Sequence, residues 1–172
     1  MAVIPPINFT SWIDENRHLL KPPVGNKCVY DLADNFIVMV VGGPNARKDY
    51  HYNESEELFY QVEGNIVVKI IDDGEQKDIH INEGEMFLLP PKVPHSPQRT
   101  AGSIGLVIEK KRTDNETDGM MWFCENCGNK LYDEYFKLTD IVKQLPPVME
   151  RFFSSDENRK CDECGTVMER PQ

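Results

Sequence analysis

Three side chains well separated along the chain could together hold a metal ion. His51 and Glu57 stand close in sequence, and His95 follows much later. Two imidazoles and one carboxylate make a three-ligand face that suits Fe(II) and leaves neighbouring coordination positions open for other molecules. A second group is spaced more tightly. Cys124 and Cys127 form one C-x-x-C pair, and Cys161 and Cys164 form another thirty-three residues later. Gly128 and Gly165 follow the two pairs and permit the tight turn that brings backbone N–H groups to the thiolates. Four thiolates suit Zn(II) or a single iron. Each group also has a plain reading. His51 could be a loop residue, Glu57 a strand-edge charge, His95 a turn histidine after a proline, and the cysteines four structural thiols.

A metal face needs a rigid frame, and the sequence predicts one made of strands. Candidate strands are 27–32, 35–41, 57–62, 65–71, 77–81, 85–89 and 103–109, separated by turns such as GGPN at 42–45, DDG at 72–74 and PPKVP at 90–94. Seven short strands with no long helix among them predict an antiparallel sandwich or small barrel. Alternation puts residues 57, 59 and 61 on one face, and residues 105, 107 and 109 on another. Ahead of the strands, residues 8–20 read as a short helix with a capping box from Ser11 to Asp14, stopped by the prolines of KPPVGN. Residues 111–120 read as a polar linker. Beyond it comes a metal-binding tail with a helix at 140–153, interrupted near Pro146–Pro147. The expected division is a barrel with an N-terminal helix over 1–112, and linker plus tail over 113–172.

Composition removes several function classes. The chain has 172 residues, 40% hydrophobic and 28% charged, enough for a packed core. A net charge of −10 argues against nucleic acid and against anionic lipid as partners. The apolar runs 36–41 and 104–108 are far too short to span a bilayer, and the N-terminus lacks the basic and apolar regions of a secretory signal. A cytoplasmic enzyme or binding protein is the expectation, and two C-x-x-C pairs in such a chain read as a metal knuckle and not as disulfides.

The spacing around the histidines is similar to the two motifs of the cupin superfamily. Gly43 precedes His51 by eight residues, Glu57 is followed by six residues and Gly64, and Gly84 is followed by five residues, Pro90 and then His95. Two positions depart from the usual pattern: Asp49 stands where a first histidine is common, and Arg99 where asparagine is common. Within that superfamily, VVGGPNARKDYH at 40–51, EELFYQVEG at 56–64, FLLPPKVPHSPQR at 87–99 and GLVIEKKR at 105–112 resemble the 3-hydroxyanthranilate 3,4-dioxygenase family. WFCENCG and CDECG resemble the rubredoxin-like appendage of some of its members.

The resemblance implies a cupin jelly roll with short helices and a small C-terminal metal-binding extension. It implies Fe(2+) on His51, Glu57 and His95, and a second iron, or zinc, held structurally by Cys124, Cys127, Cys161 and Cys164. It implies that Arg99 pairs with the substrate carboxylate, that Arg47 lies near the dioxygen position, and that Glu109 contacts the amino or hydroxyl side of the substrate. Glu57 would touch the substrate as well as the metal. The implied reaction joins 3-hydroxyanthranilate and O2 to give 2-amino-3-carboxymuconate semialdehyde, which closes to quinolinate on the kynurenine route from tryptophan to NAD. A homodimer is implied too. The rival readings are a non-enzymatic cupin that binds a small aromatic acid and a metal-dependent isomerase on the same barrel.

Overall fold

The computed structural model describes residues 3–22, 25–139 and 141–171. Pro23 and Val24 of KPPVGN, and Asp140 where the tail helix was expected to begin, lie outside it.

Two antiparallel sheets face each other. The first has five strands in the order β1 (Asn26–Cys28), β2 (Phe36–Gly42), β9 (Ile104–Lys110), β4 (Glu57–Glu63) and β7 (Met86–Leu89). The second has six, in the order β11 (Lys130–Phe136), β10 (Asp118–Phe123), β3 (Asp49–Tyr52), β8 (His95–Arg99), β5 (Ile66–Asp72) and β6 (Glu75–Ile81). Side-chain alternation decides what lies between them. In β4, Glu57, Phe59 and Gln61 are buried while Leu58 and Tyr60 are on the far side, and in β5 the buried set is Ile66, Val68 and Ile70. Phe59, Val68, Ile70, Leu89 and Val107 form the apolar half of the interior. The polar half is the candidate site. This is the expected antiparallel sandwich or small barrel.

Seven strands overlap those read from the sequence; β3, β8, β10 and β11 are additional. β3 and β8 are short and carry polar residues and a proline, so they lack the apolar run that marks a strand. They are strands because their neighbours supply a ladder. β10 begins inside the stretch read as a linker, and it pairs with β3 from Trp122↔Asp49 to Gly119↔Tyr52. Residues on both sides of position 112 therefore share one sheet.

The N-terminal helix α1 (Phe9–Asn16) is capped by Asn8, whose side-chain oxygen accepts from Ser11 N at 2.9 Å, so the cap is Asn8 and not Ser11. Its apolar side, with Phe9, Trp12 and Ile13, covers Val40, Ile104 and Leu106 on the outside of the five-stranded sheet. At the other end, α2 (Ile141–Phe153) runs unbroken through Pro146 and Pro147, and a short α3 (Asp156–Arg159) follows. Two interior prolines cost a helix several kcal/mol. Packing offsets that cost: Val148 and Phe152 of α2 are buried against Met120 and Trp122 of β10 and against Met168. Trp122 and Phe152 stack with ring centroids 4.4 Å apart and 14° between their planes.

Phe152→Ala should empty the centre of this second core. The expected loss is about 3–5 kcal/mol, read as a lower urea midpoint in unfolding followed by tryptophan fluorescence.

Candidate active site

β3 and β8 meet at one register position, with His51 opposite His95. Glu57 comes from β4 in the facing sheet and points into the same space. The donor atoms of His51, Glu57 and His95 lie within 4.8 Å of one another, and all three residues are buried. His95 Nδ1 donates to the Val93 carbonyl at 3.0 Å, leaving Nε2 toward Glu57 Oε2 at 3.2 Å. Asn53 Nδ2 donates to the same carboxylate oxygen at 3.2 Å. Burial opposes ionisation of Glu57, but His95 and His51 outweigh it and hold the carboxyl at about 2. Burial pushes His51 down; it acts on His95 in the same direction, where Glu57 wins and raises it.

These residues fit a divalent transition metal. The donor set mixes imidazole with a carboxylate kept ionised, and one imidazole is oriented by a backbone carbonyl. Asp49 is not among the converging donors. Its Oδ2 is engaged by Arg47: Nε donates to it at 3.1 Å and Nη2 donates to the same oxygen.

Arg99 stands two residues beyond Pro97 on the inward face of β8, as His95 does. It is buried, and its Nη1 has no hydrogen-bond partner among the described residues. Burial pulls its guanidinium down to about 10, against the field of Glu57. Across the interior, a Cβ at Gly105 would lie 2.7 Å from Arg99 Nη1 and 2.9 Å from Gln61 Oε1, so the glycine leaves the guanidinium its space. Glu109 sits directly opposite Glu57 in the β4–β9 ladder. Burial lifts its carboxyl to about 7, with Glu57 adding to the effect and Arg112 opposing it. A cavity of about 550 Å³ opens against Glu109 and Arg112, walled by Asn26, Cys28, Ile37 and Met39.

Three polar residues of this region carried no role in the sequence. Asn53 holds Glu57. Arg112 Nη1 donates to Glu109, and its Nε and Nη2 donate to Asp118. Asp118 is completely buried and reaches His51. Arg112 and Asp118 both fall at the ends of the stretch read as a linker. The available signal was the apolar run Met120–Phe123 after Asp118–Gly119, which reads as the start of a strand.

The four cysteines converge at the far end of β10. The Sγ atoms of Cys124 and Cys164 are 3.5 Å apart, as are those of Cys127 and Cys161. The two turns repeat one another. Gly128 N donates to Cys124 O and Gly165 N to Cys161 O, at 2.9 and 2.8 Å, with both glycines at positive φ. The hydrogen bond between Cys164 and Thr166 is the largest influence that pulls the Cys164 thiol down to about 5. Cys124 and Cys161 are buried, and Cys127 and Cys164 are exposed. The arrangement suits a tetrahedral metal.

A family model described as 3-hydroxyanthranilic acid dioxygenase matches residues 1–153. The chain belongs to the 3-hydroxyanthranilic acid dioxygenase family. Among its relatives, the 3-hydroxyanthranilate 3,4-dioxygenase of Xanthomonas euvesicatoria is 58% identical over 170 residues, 99% of this chain and 96% of that protein. The protein of the same name from Neurospora crassa is 47% identical over 162 residues, 94% of this chain and 89% of the other. A cupin-2 domain containing protein from Shewanella frigidimarina overlays with a TM-score of 0.45 at 22% identity, covering 61% of this chain and 94% of that one. Cys161 and Cys164 lie beyond the part matched by the dioxygenase family model, although the Xanthomonas alignment spans nearly the whole chain. No helix among the described residues is long and apolar enough to cross a membrane.

His95→Ala removes the one triad imidazole that the backbone orients. Metal analysis of the purified variant should show the four-cysteine metal alone, against two metals per chain in the unaltered protein.

Proposed function

We infer that the protein is a ring-cleaving dioxygenase that converts 3-hydroxyanthranilate and O2 to 2-amino-3-carboxymuconate semialdehyde, with Fe(II) on His51, Glu57 and His95. Family membership supports the reaction class. The observation that carries the substrate assignment is Arg99, a buried guanidinium whose Nη1 lacks a partner and which faces the same interior as the metal ligands. A buried cation is costly without an anion beside it, and the ring carboxylate supplies one with matching fork geometry.

A bound Fe(II) supplies open positions for a chelating substrate and for dioxygen, and a path for electrons from ring to oxygen. The residues of the chain do the rest. Arg99 clamps the ring carboxylate and so fixes which ring bond faces the open positions. Glu109 takes the proton of the ring hydroxyl; burial has brought its carboxyl to about 7, where it accepts a proton near neutrality. Arg47, held by Asp49, offers positive charge beside the face where oxygen gains electron density. Phe59 and Val107 wall the site with apolar surface and exclude water. Glu57 serves the metal and touches the substrate. The cavity beside Glu109 has a volume in the range of small-molecule sites.

We propose that the metal-binding and substrate-contacting side chains of ring cleavage lie in 1–112, and that the four cysteines of 113–172 hold a second metal that stabilises the fold. Iron is our assignment for that second metal, with zinc the alternative. Thiolate ligands kept reduced suit the cytoplasm, which we assign as the compartment.

We also propose a homodimer. On the outside of the five-stranded sheet the register lines up Val38, Ile108, Leu58 and Leu88 in one row, and Leu106, Tyr60 and Met86 in the next. α1 covers the Leu106 end, but Met86 and Leu88 are 63% and 54% exposed. A contiguous apolar face of this kind marks an interaction surface. Leu88→Lys should halve the mass measured by sedimentation equilibrium; an unchanged mass would place any dimer contact elsewhere.

The function is tested by oxygen uptake with 3-hydroxyanthranilate. Metal-stripped protein should take up none, and Fe(II) should restore one O2 per substrate consumed. Arg99→Ala should raise KM about 10- to 100-fold, as expected for losing a charge-assisted pair of about 1.5–3 kcal/mol, with iron content unchanged. Substrate binding without oxygen uptake in the iron-loaded protein would leave only the binding-protein reading.

A further inference from the structure

The reaction as derived uses His51 and Glu109 but neither of the two residues that link them. Asp118 opens β10, in the strand next to β3, and is completely buried. Its Oδ2 lies 2.6 Å from His51 Nε2. The same carboxylate accepts from Arg112 Nε at 2.9 Å and from Arg112 Nη2 at 2.6 Å. Arg112, itself nearly buried, donates from Nη1 to Glu109. His51, Asp118, Arg112 and Glu109 thus form one unbroken chain, with a metal ligand at one end and the substrate-side acid at the other.

We propose that Asp118 is the positioning residue of the catalytic metal centre, fixing the ring of His51, and that Arg112 holds Asp118 and Glu109 in place together. The proposal rests on the triad being the metal site. A carboxylate engaged with one ring nitrogen settles the tautomer, leaves the lone pair on the other nitrogen and makes it more basic. His51 gains this from Asp118 alone among the contacts described, whereas His95 gains it from the Val93 carbonyl. The two histidines are therefore oriented by different devices: one local to its own strand, the other supplied by a strand sixty-seven residues away in sequence. Arg112 is what makes the second device affordable. Asp118 and Glu109 are two buried carboxylates near a third, Glu57, and one guanidinium bridges the first two.

A buried ion pair with no bearing on the metal would show the same contacts, so the test must read the metal. The metal-stripped protein is titrated with Co(II), followed by its visible absorption, in the unaltered chain, in Asp118→Asn and in His51→Ala. Metal at the four-cysteine site is measured in each sample as a reference for folding. Asp118→Asn should bind Co(II) at the triad about 10- to 100-fold more weakly, with altered bands and the four-cysteine metal retained. His51→Ala should lose triad binding. If Asp118→Asn matches the unaltered chain in affinity and spectrum while His51→Ala fails to bind, the triad stands and the role of Asp118 falls. If His51→Ala also binds normally, the triad reading itself is wrong and takes the proposal with it. Loss of the four-cysteine metal in Asp118→Asn would make Asp118 a fold residue and overturn the proposal.

Discussion

The interior depends on burying ionised groups only in company. Between the two sheets lie Glu57, Glu109, Asp49 and Asp118, together with Arg99 and Arg112, all shielded from water. Removing one partner from such a set leaves a charge stranded at a cost of several kcal/mol. The pairing is nearly complete. Arg47 answers Asp49, Arg112 answers Asp118 and Glu109, and His95 answers Glu57. Arg99 is the member whose Nη1 stays unmatched. On the function proposed above, an anionic substrate would complete the balance, and the same cost of burial would make the site selective for an acid in a protein whose overall charge is negative.

Asp49 gains a different meaning from this. At the position where a fourth metal ligand is common in cupins, it reads as a ligand given up. In the structure it is engaged otherwise, since its Oδ2 accepts from Arg47. On the function proposed above, the same residue would both stay off the metal and hold a positive charge near it.

β10 joins the two metal centres. It starts with Asp118 against His51, buries Met120 and Trp122 in the second core, and leads straight into Cys124. The tail therefore does not hang from the barrel by a linker. It supplies β10 and β11, the two strands of the six-stranded sheet that lie beyond β3, and a carboxylate that reaches His51. The strand that pairs with β3 thus runs directly into the first cysteine, although the residues look like separate regions when read along the chain.

How much of this could be read without coordinates follows from how local each signal is. The four cysteines announce themselves, because a knuckle is made by residues two or three apart and by glycines at positive φ. The strands β2, β4, β5 and β9 announce themselves through apolar alternation. The convergence of His51, Glu57 and His95 was legible from motif spacing, whereas Arg99 drew attention only through the family resemblance. Asn53, Arg112 and Asp118 were not, since an Asp or Arg in a polar stretch looks solvated until a distant strand buries it. The amino-acid sequence by itself determined the ligand types, the strand-rich frame and the reaction family. Only the tertiary structure decided which charges meet. The reason is that β3, β8 and β10 bring together residues far apart in sequence, and burial then leaves each charge only the few partners that the folded strands carry to it.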